Sequence, residues 1–221
     1  MAQKLILSRK FHPWEGGEGK VPAQYLYCHI ELGKLALLNR DYKKAIKLFK
    51  DSFSFPHNLG EGKLPGAQEN NANYFLGCAY EGLKEIEKAK EFFRKAYIGI
   101  DELAGMMFYN DQPADMIFYQ GLALLKLGET EKSKSKFNKL ISYGEKHIFD
   151  KVSIDYFAVS LPDFLIFDTN YTKKNEAHCN YLMALGNWGL GNTEIARKYF
   201  YKALLLEPSH MQSNLYVHAI E

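Results

Sequence analysis

Four stretches of 24 residues align with one another without a gap, and they constrain the fold more than any other feature of the chain. They are IELGKLALLNRDYKKAIKLFKDSF at 30–53, YFLGCAYEGLKEIEKAKEFFRKAY at 74–97, FYQGLALLKLGETEKSKSKFNKLI at 118–141 and YLMALGNWGLGNTEIARKYFYKAL at 181–204. The fourth residue of each is small: Gly33, Gly77, Gly121 and Ala184. Twelve residues on comes a second small residue: Ala45, Ala89, Ser133 and Ala196. Phe49, Phe93, Phe137 and Phe200 lie one helical turn beyond those, on the same face. Ser52, Ala96, Leu140 and Ala203 follow three later. Between the halves sit the turns NRD, GLK, LGE and LGN, and each then opens an amphipathic run of Lys and Glu among apolar residues. Small residues at fixed spacing let two helices approach closely, so each stretch reads as a helix–turn–helix pair.

This small–small–Phe–small skeleton resembles the tetratricopeptide repeat, a helix–turn–helix unit of 34 residues. The last stretch matches best, ending at Pro208 where such a unit stops. The resemblance implies an all-α fold, an α-α superhelix of about four pairs in one domain spanning 1–221. The repeats fall at roughly 24–56, 68–101, 113–146 and 176–208, with an insert over 147–175 and a capping helix over 209–220. Gly33 to Gly77 is 44 residues, Gly77 to Gly121 is again 44, and Gly121 to Ala184 is 63. All exceed the family's period, and insertions in such arrays map to one face. The run IDYFAVSLPDFLIF at 154–167 is too apolar for a free loop and is expected to be a helix and an extended piece broken at Pro162.

Two connectors share a phrase: WEGGEGKVPAQ at 14–24 and NLGEGKLPGAQ at 58–68. A glycine-rich loop ending in lysine suggests a phosphate cradle, but that motif needs an earlier glycine and a following Ser or Thr. Here Trp14 and His57 precede, and Val21 and Leu64 follow. The phrase reads instead as the connector into the first helix of a pair, with glycine permitting positive φ and proline setting the turn. A plain connector does not require Glu18 and Lys20 to recur as Glu61 and Lys63. Either the recurring charges tie neighbouring loops together, or both loops line one rim and present Trp14, Glu15, Glu18, Lys20, Asn58, Glu61, Lys63 and Gln68 to a partner.

Reactive chemistry is sparse. The seven histidines show no HxH or HExxH spacing, and Cys28, Cys78 and Cys179 are far apart, so no metal, disulfide framework or cofactor is expected. The carboxylates of Glu15, Glu18, Glu61, Glu69, Asp111, Asp115, Asp163 and Asp168 are the remaining catalytic candidates, and most suit turns and caps. With 28 basic against 26 acidic residues and no basic block, no nucleic-acid partner is expected. No segment has the length of a membrane span, and the N-terminus lacks signal-peptide form, so the default compartment is cytoplasmic.

In tetratricopeptide arrays the first helices of the pairs line the concave face. The resemblance places Tyr27, Lys34, Asn71, Tyr74, Asp115, Tyr119, His178, Tyr181 and Trp188 there. The family's carboxylate clamp uses Lys, Asn and Arg. Ile30, Lys34, Phe75, Asp115 and Tyr119 stand at those places, which suits a cochaperone poorly. A narrower resemblance, carried by HPWEGGEGK, NLGEGKLPGAQENN, LGCAYEGL, YNDQPADMIFYQGLAL and VSLPDFLIFD, is to the C-terminal repeat region of a bacterial family of unknown function with a sugar-enzyme-like β-sandwich upstream. It implies an accessory domain and carries over no catalytic residue. The expected function is therefore a non-catalytic scaffold that docks a partner protein or an adjacent domain of its own chain. The alternative is an accessory part of a carbohydrate-active enzyme, with loop carboxylates completing a sugar site built mainly by another domain.

Overall fold

Repeated small residues, capped turns and amphipathic second halves build helices in pairs. The computed structural model describes residues 1–13, 17–105, 113–152 and 170–220, and among these every regular element is helical. They form two compact units, one over residues 1–100 and the other over 101–105, 113–152 and 170–220.

Unit 1 opens with a short helix α1 (Ala2–Ser8), followed by the pair α2 (Lys20–Leu38) and α3 (Tyr42–Asp51). A 3-10 turn at His57–Leu59 leads to the pair α4 (Asn70–Gly82) and α5 (Ile86–Tyr97). Unit 2 holds the pair α6 (Asp115–Lys126) and α7 (Thr130–His147), the pair α8 (Tyr171–Gly189) and α9 (Thr193–Leu206), and a last helix α10 (Met211–Ala219).

The four intra-pair turns share one backbone design. Seven residues past the small residue, Arg40, Lys84, Gly128 and Gly191 all adopt left-handed φ, at 59, 63, 82 and 83°. The next amide reaches back five residues in every case: Asp41 to the Ala36 carbonyl, Glu85 to Tyr80, Glu129 to Leu124 and Asn192 to Asn187, at 2.8–2.9 Å. This satisfies a carbonyl the helix end would leave orphaned. The residue after the turn then starts the second helix, and the Asp41 carboxylate caps α3 by accepting from the Lys44 amide at 3.2 Å.

Within each pair the phenylalanine closes against the small residue. A methyl at Gly33, Gly77 or Gly121 would lie 2.3–2.4 Å from the ring of Phe49, Phe93 or Phe137. All four phenylalanines are buried, as are Ala45, Ala89, Ser133 and Ala196. The Ser133 hydroxyl spends its polarity on the Gly121 carbonyl at 2.8 Å.

Pairs stack differently in the two units. In unit 1 Phe49 stacks on Phe75, with centroids 5.5 Å apart, and Phe75 lies two residues before the small residue of its own pair. In unit 2 Phe137 instead packs at Gly186 and Gly189, two and five residues after Ala184. Helix α8 has therefore slid along its axis by four to seven residues relative to the unit 1 pattern, roughly 6–10 Å at 1.5 Å per residue. Two glycines make the new register possible, because a Cβ at Gly186 would meet the Phe137 carbonyl and one at Gly189 its ring. The slide also brings Trp188 face to face with Phe118 at 5.2 Å. The apolar segment 154–167, expected as an extra helix and an extended piece, lies outside the described residues, as does Pro162.

Candidate functional site

The two GEGK phrases fold differently. In the first, Gly19 (φ 75°) is the N-cap of α2 and Lys20 its first residue, so Pro22 sits inside the first helical turn, where its missing N–H costs nothing. In the second, the glycines with positive φ are Gly60 and Gly66, and α4 begins only at Asn70. The two are joined directly: the Glu61 carboxylate accepts from the Gly19 amide at 2.7 Å, placing negative charge on the N-terminus of α2.

The other rim candidates of the second phrase are also held within the chain. Asn58 donates to the Ile6 and Arg9 carbonyls, both at 2.8 Å, and its own carbonyl accepts from the Phe11 amide at 2.8 Å. Gly60 must be glycine, since a Cβ there would lie 2.4 Å from the Phe11 carbonyl oxygen. Lys63 pairs with Glu69 and donates to the Phe53 carbonyl at 3.1 Å, and burial pulls its pKa down. Gln68 donates to the Gly66 carbonyl at 2.7 Å and accepts from the Ile100 amide at 3.2 Å. Glu18 is half-buried and Lys20 exposed. Trp14 and Glu15 lie outside the described residues.

On the first helices of unit 1, Tyr27, Lys34, Asn71 and Tyr74 are all half-buried. Lys34 pairs with Glu31 at 2.9 Å and stands 5.8 Å over the Phe75 ring. Tyr74 meets Phe75 edge-on at 5.4 Å. The neighbouring Asn70 was not foreseen as important. It is buried and donates to the Ala96 and Ile98 carbonyls at 2.7 and 2.8 Å, pinning the start of α4 to the end of α5. Tyr25 does the same job in the first pair, its hydroxyl donating to the Asp51 carbonyl at 2.9 Å. His29 is buried beside it: Nδ1–H donates to the Tyr25 carbonyl at 2.9 Å, and Nε2 accepts from Gln3 at 3.1 Å.

Unit 2 buries most of its candidates. Asp115, Tyr119 and Tyr181 are 9, 3 and 4% exposed. The Tyr119 and Tyr216 hydroxyls share a hydrogen bond of 3.0 Å, and Tyr181 packs against Phe200, His210 and Tyr216. Burial pushes both the Tyr181 and Tyr216 phenols far above their ordinary range, and the Asp115 charge adds to it. Trp188 remains half-buried. His178 donates Nε2–H to the Ala104 carbonyl at 3.2 Å, and burial brings its pKa down to about 4. Burial likewise raises the Cys179 thiol to about 12, and the three cysteines are free.

Among the carboxylate candidates, Glu61 holds an amide, Glu69 holds Lys63, Asp115 is buried and Glu18 half-buried, while Glu15, Asp111, Asp163 and Asp168 lie outside the described residues. Among the described residues no group of three His, Cys, Asp or Glu could hold a metal, and no helix is long and apolar enough to cross a membrane.

Three segments match sequence models of the tetratricopeptide repeat: residues 71–97 and 177–210 match one, and 115–143 another. Three of the four helix pairs thus match tetratricopeptide repeats. Among solved structures it is similar to MamA, residues 41 to the end, from Desulfovibrio magneticus RS-1, at 12% identity over 89% of this chain and 83% of that one, with a TM-score of 0.30. MamA AMB-1 is similar at 11% identity over 89% and 86%, with a TM-score of 0.29. Likeness at that level does not bear on the arrangement of the repeats or on their ligand. The three matched segments each contain one small–small–Phe series, whereas the first series, at 30–53, lies outside them.

Proposed function

We propose that this chain is a non-catalytic docking module that binds a partner protein, or an adjacent domain of a longer polypeptide, through the first helices of unit 1. Tetratricopeptide repeats are built for this use, because stacked pairs leave a row of first helices with side chains that packing does not consume. The observation that carries the reading is the contrast between the units. Tyr27, Lys34, Asn71 and Tyr74 in unit 1 all keep part of their surface open, while in unit 2 Asp115, Tyr119 and Tyr181 are spent on the core and only His178 and Trp188 stay half-buried. Tyrosine and a fixed lysine offer large contact area at low entropic cost, the chemistry typical of interface anchors. The GEGK residues act in this reading as internal ties that set the entry of α2 and hold the first helices in place.

Site-specific photocrosslinking in the native host tests it. A photoreactive residue at Asn71 or Tyr27 should trap one protein or domain, and Tyr74→Ala should abolish the adduct with the fold retained. The same probe at Lys44 or Lys90, on the second helices, should not trap it. Equal trapping at all four positions would remove the assignment.

A further inference from the structure

The segment Asp101–Gly105, sequence DELAG, is an irregular strap seated on unit 2. Each contact reads a different feature of it. Two lysines one turn apart on α7 grip Asp101: Lys136 at 2.7 Å and Lys139 at 3.4 Å from its carboxylate oxygens. Lys139 also donates to the Asp101 backbone carbonyl, and Lys136 is steadied by donating to Gln120 at 2.9 Å. Burial pushes the Asp101 carboxyl upward, but the two lysines more than offset it and hold it below the usual aspartate value. Leu103 packs against the apolar cluster that α6 to α10 build in unit 2. His178, on α8, donates to the Ala104 carbonyl. Glu102 between them is exposed.

An anion grip at Asp101, with an apolar seat two residues and a backbone donor three residues beyond it, forms the pattern of a peptide-recognition track. Two lysines facing one aspartate also leave positive charge for an acidic ligand. We propose that this track is a peptide-docking site, filled in the free chain by residues 101–105, and that it takes an extended acidic-x-leucine-small segment of a partner protein in their place. The proposal rests on the docking reading above and adds a second contact with its own recognition chemistry.

The test uses the full chain and a fluorescent synthetic peptide of residues 98–105, followed by anisotropy. A tethered competitor acts at an effective concentration of about millimolar, so the wild-type chain should bind the peptide weakly. Asp101→Ala frees both lysines and should bind it at least about tenfold more tightly. Adding Lys139→Glu should remove the gain, and a peptide with alanine for its aspartate should fail on every variant. The proposal is overturned if Asp101→Ala and Asp101→Asn, both folded by circular dichroism, bind no better than wild type, or if the aspartate and alanine peptides bind alike. Crosslinking at Asn71 without peptide binding here would remove the track alone. Peptide binding here without crosslinking there would remove the unit 1 face instead.

Discussion

Arg40 and Lys84 hold left-handed backbone that glycine occupies at the same turn in the other two pairs. An L side chain there costs roughly 1 kcal/mol, which glycine avoids at some entropic expense in the unfolded chain. Lys84→Gly should therefore stabilise by about 0.5 kcal/mol in urea titration, and Gly128→Ala should destabilise by about 1 kcal/mol. His178 sets a pH window. Its folded pKa of about 4 lies below its ordinary 6.5, so the folded state binds fewer protons than the unfolded chain. Its contribution is complete above pH 6.5 and is lost as pH falls towards 4, a loss on the order of 2–3 kcal/mol. His178→Gln keeps a neutral donor for Ala104 and should flatten that slope. Part will persist through His210, whose pKa burial also lowers.

At the scale of elements, what could be read in advance followed from local periodicity. Gly33 and Phe49, or Gly77 and Phe93, sit at spacings fixed by one helix pair, so the interlock and its turns were legible. Asn70 lies two turns before Gly77 on the buried face, a periodicity that separates it from the half-buried Asn71. The slide of α8 was not legible. It rests on contacts between pairs, Phe137 against Gly186 and Gly189, whereas a gapless alignment of 181–204 with its siblings implies the same register. The doubled GEGK shows the same limit: identical words end up one at a helix N-cap and one in the loop ahead of α4, with Glu61 serving Gly19. That tie has a measurable worth. Glu61→Ala removes both an acceptor and a charge from the start of α2 and should cost about 1 kcal/mol, while Glu61→Gln should cost about half as much.

For the whole molecule, stability in a repeat array is a sum of terms within pairs and between neighbours. The small-residue–phenylalanine interlock is the term this chain repeats. The fourth pair carries Ala184 at that place, so the spacing tolerates a single methyl, but a β-branched side chain at Gly77 has only the Phe93 ring in front of it. Overpacking of this kind costs about 2–3 kcal/mol. Amide hydrogen exchange on Gly77→Val measures where that cost falls. The account predicts that protection drops in α4 and α5, and less so in α2 and α3, while α6–α9 keep wild-type rates. Uniform loss across all eight helices, or no loss in α4 and α5, would contradict it.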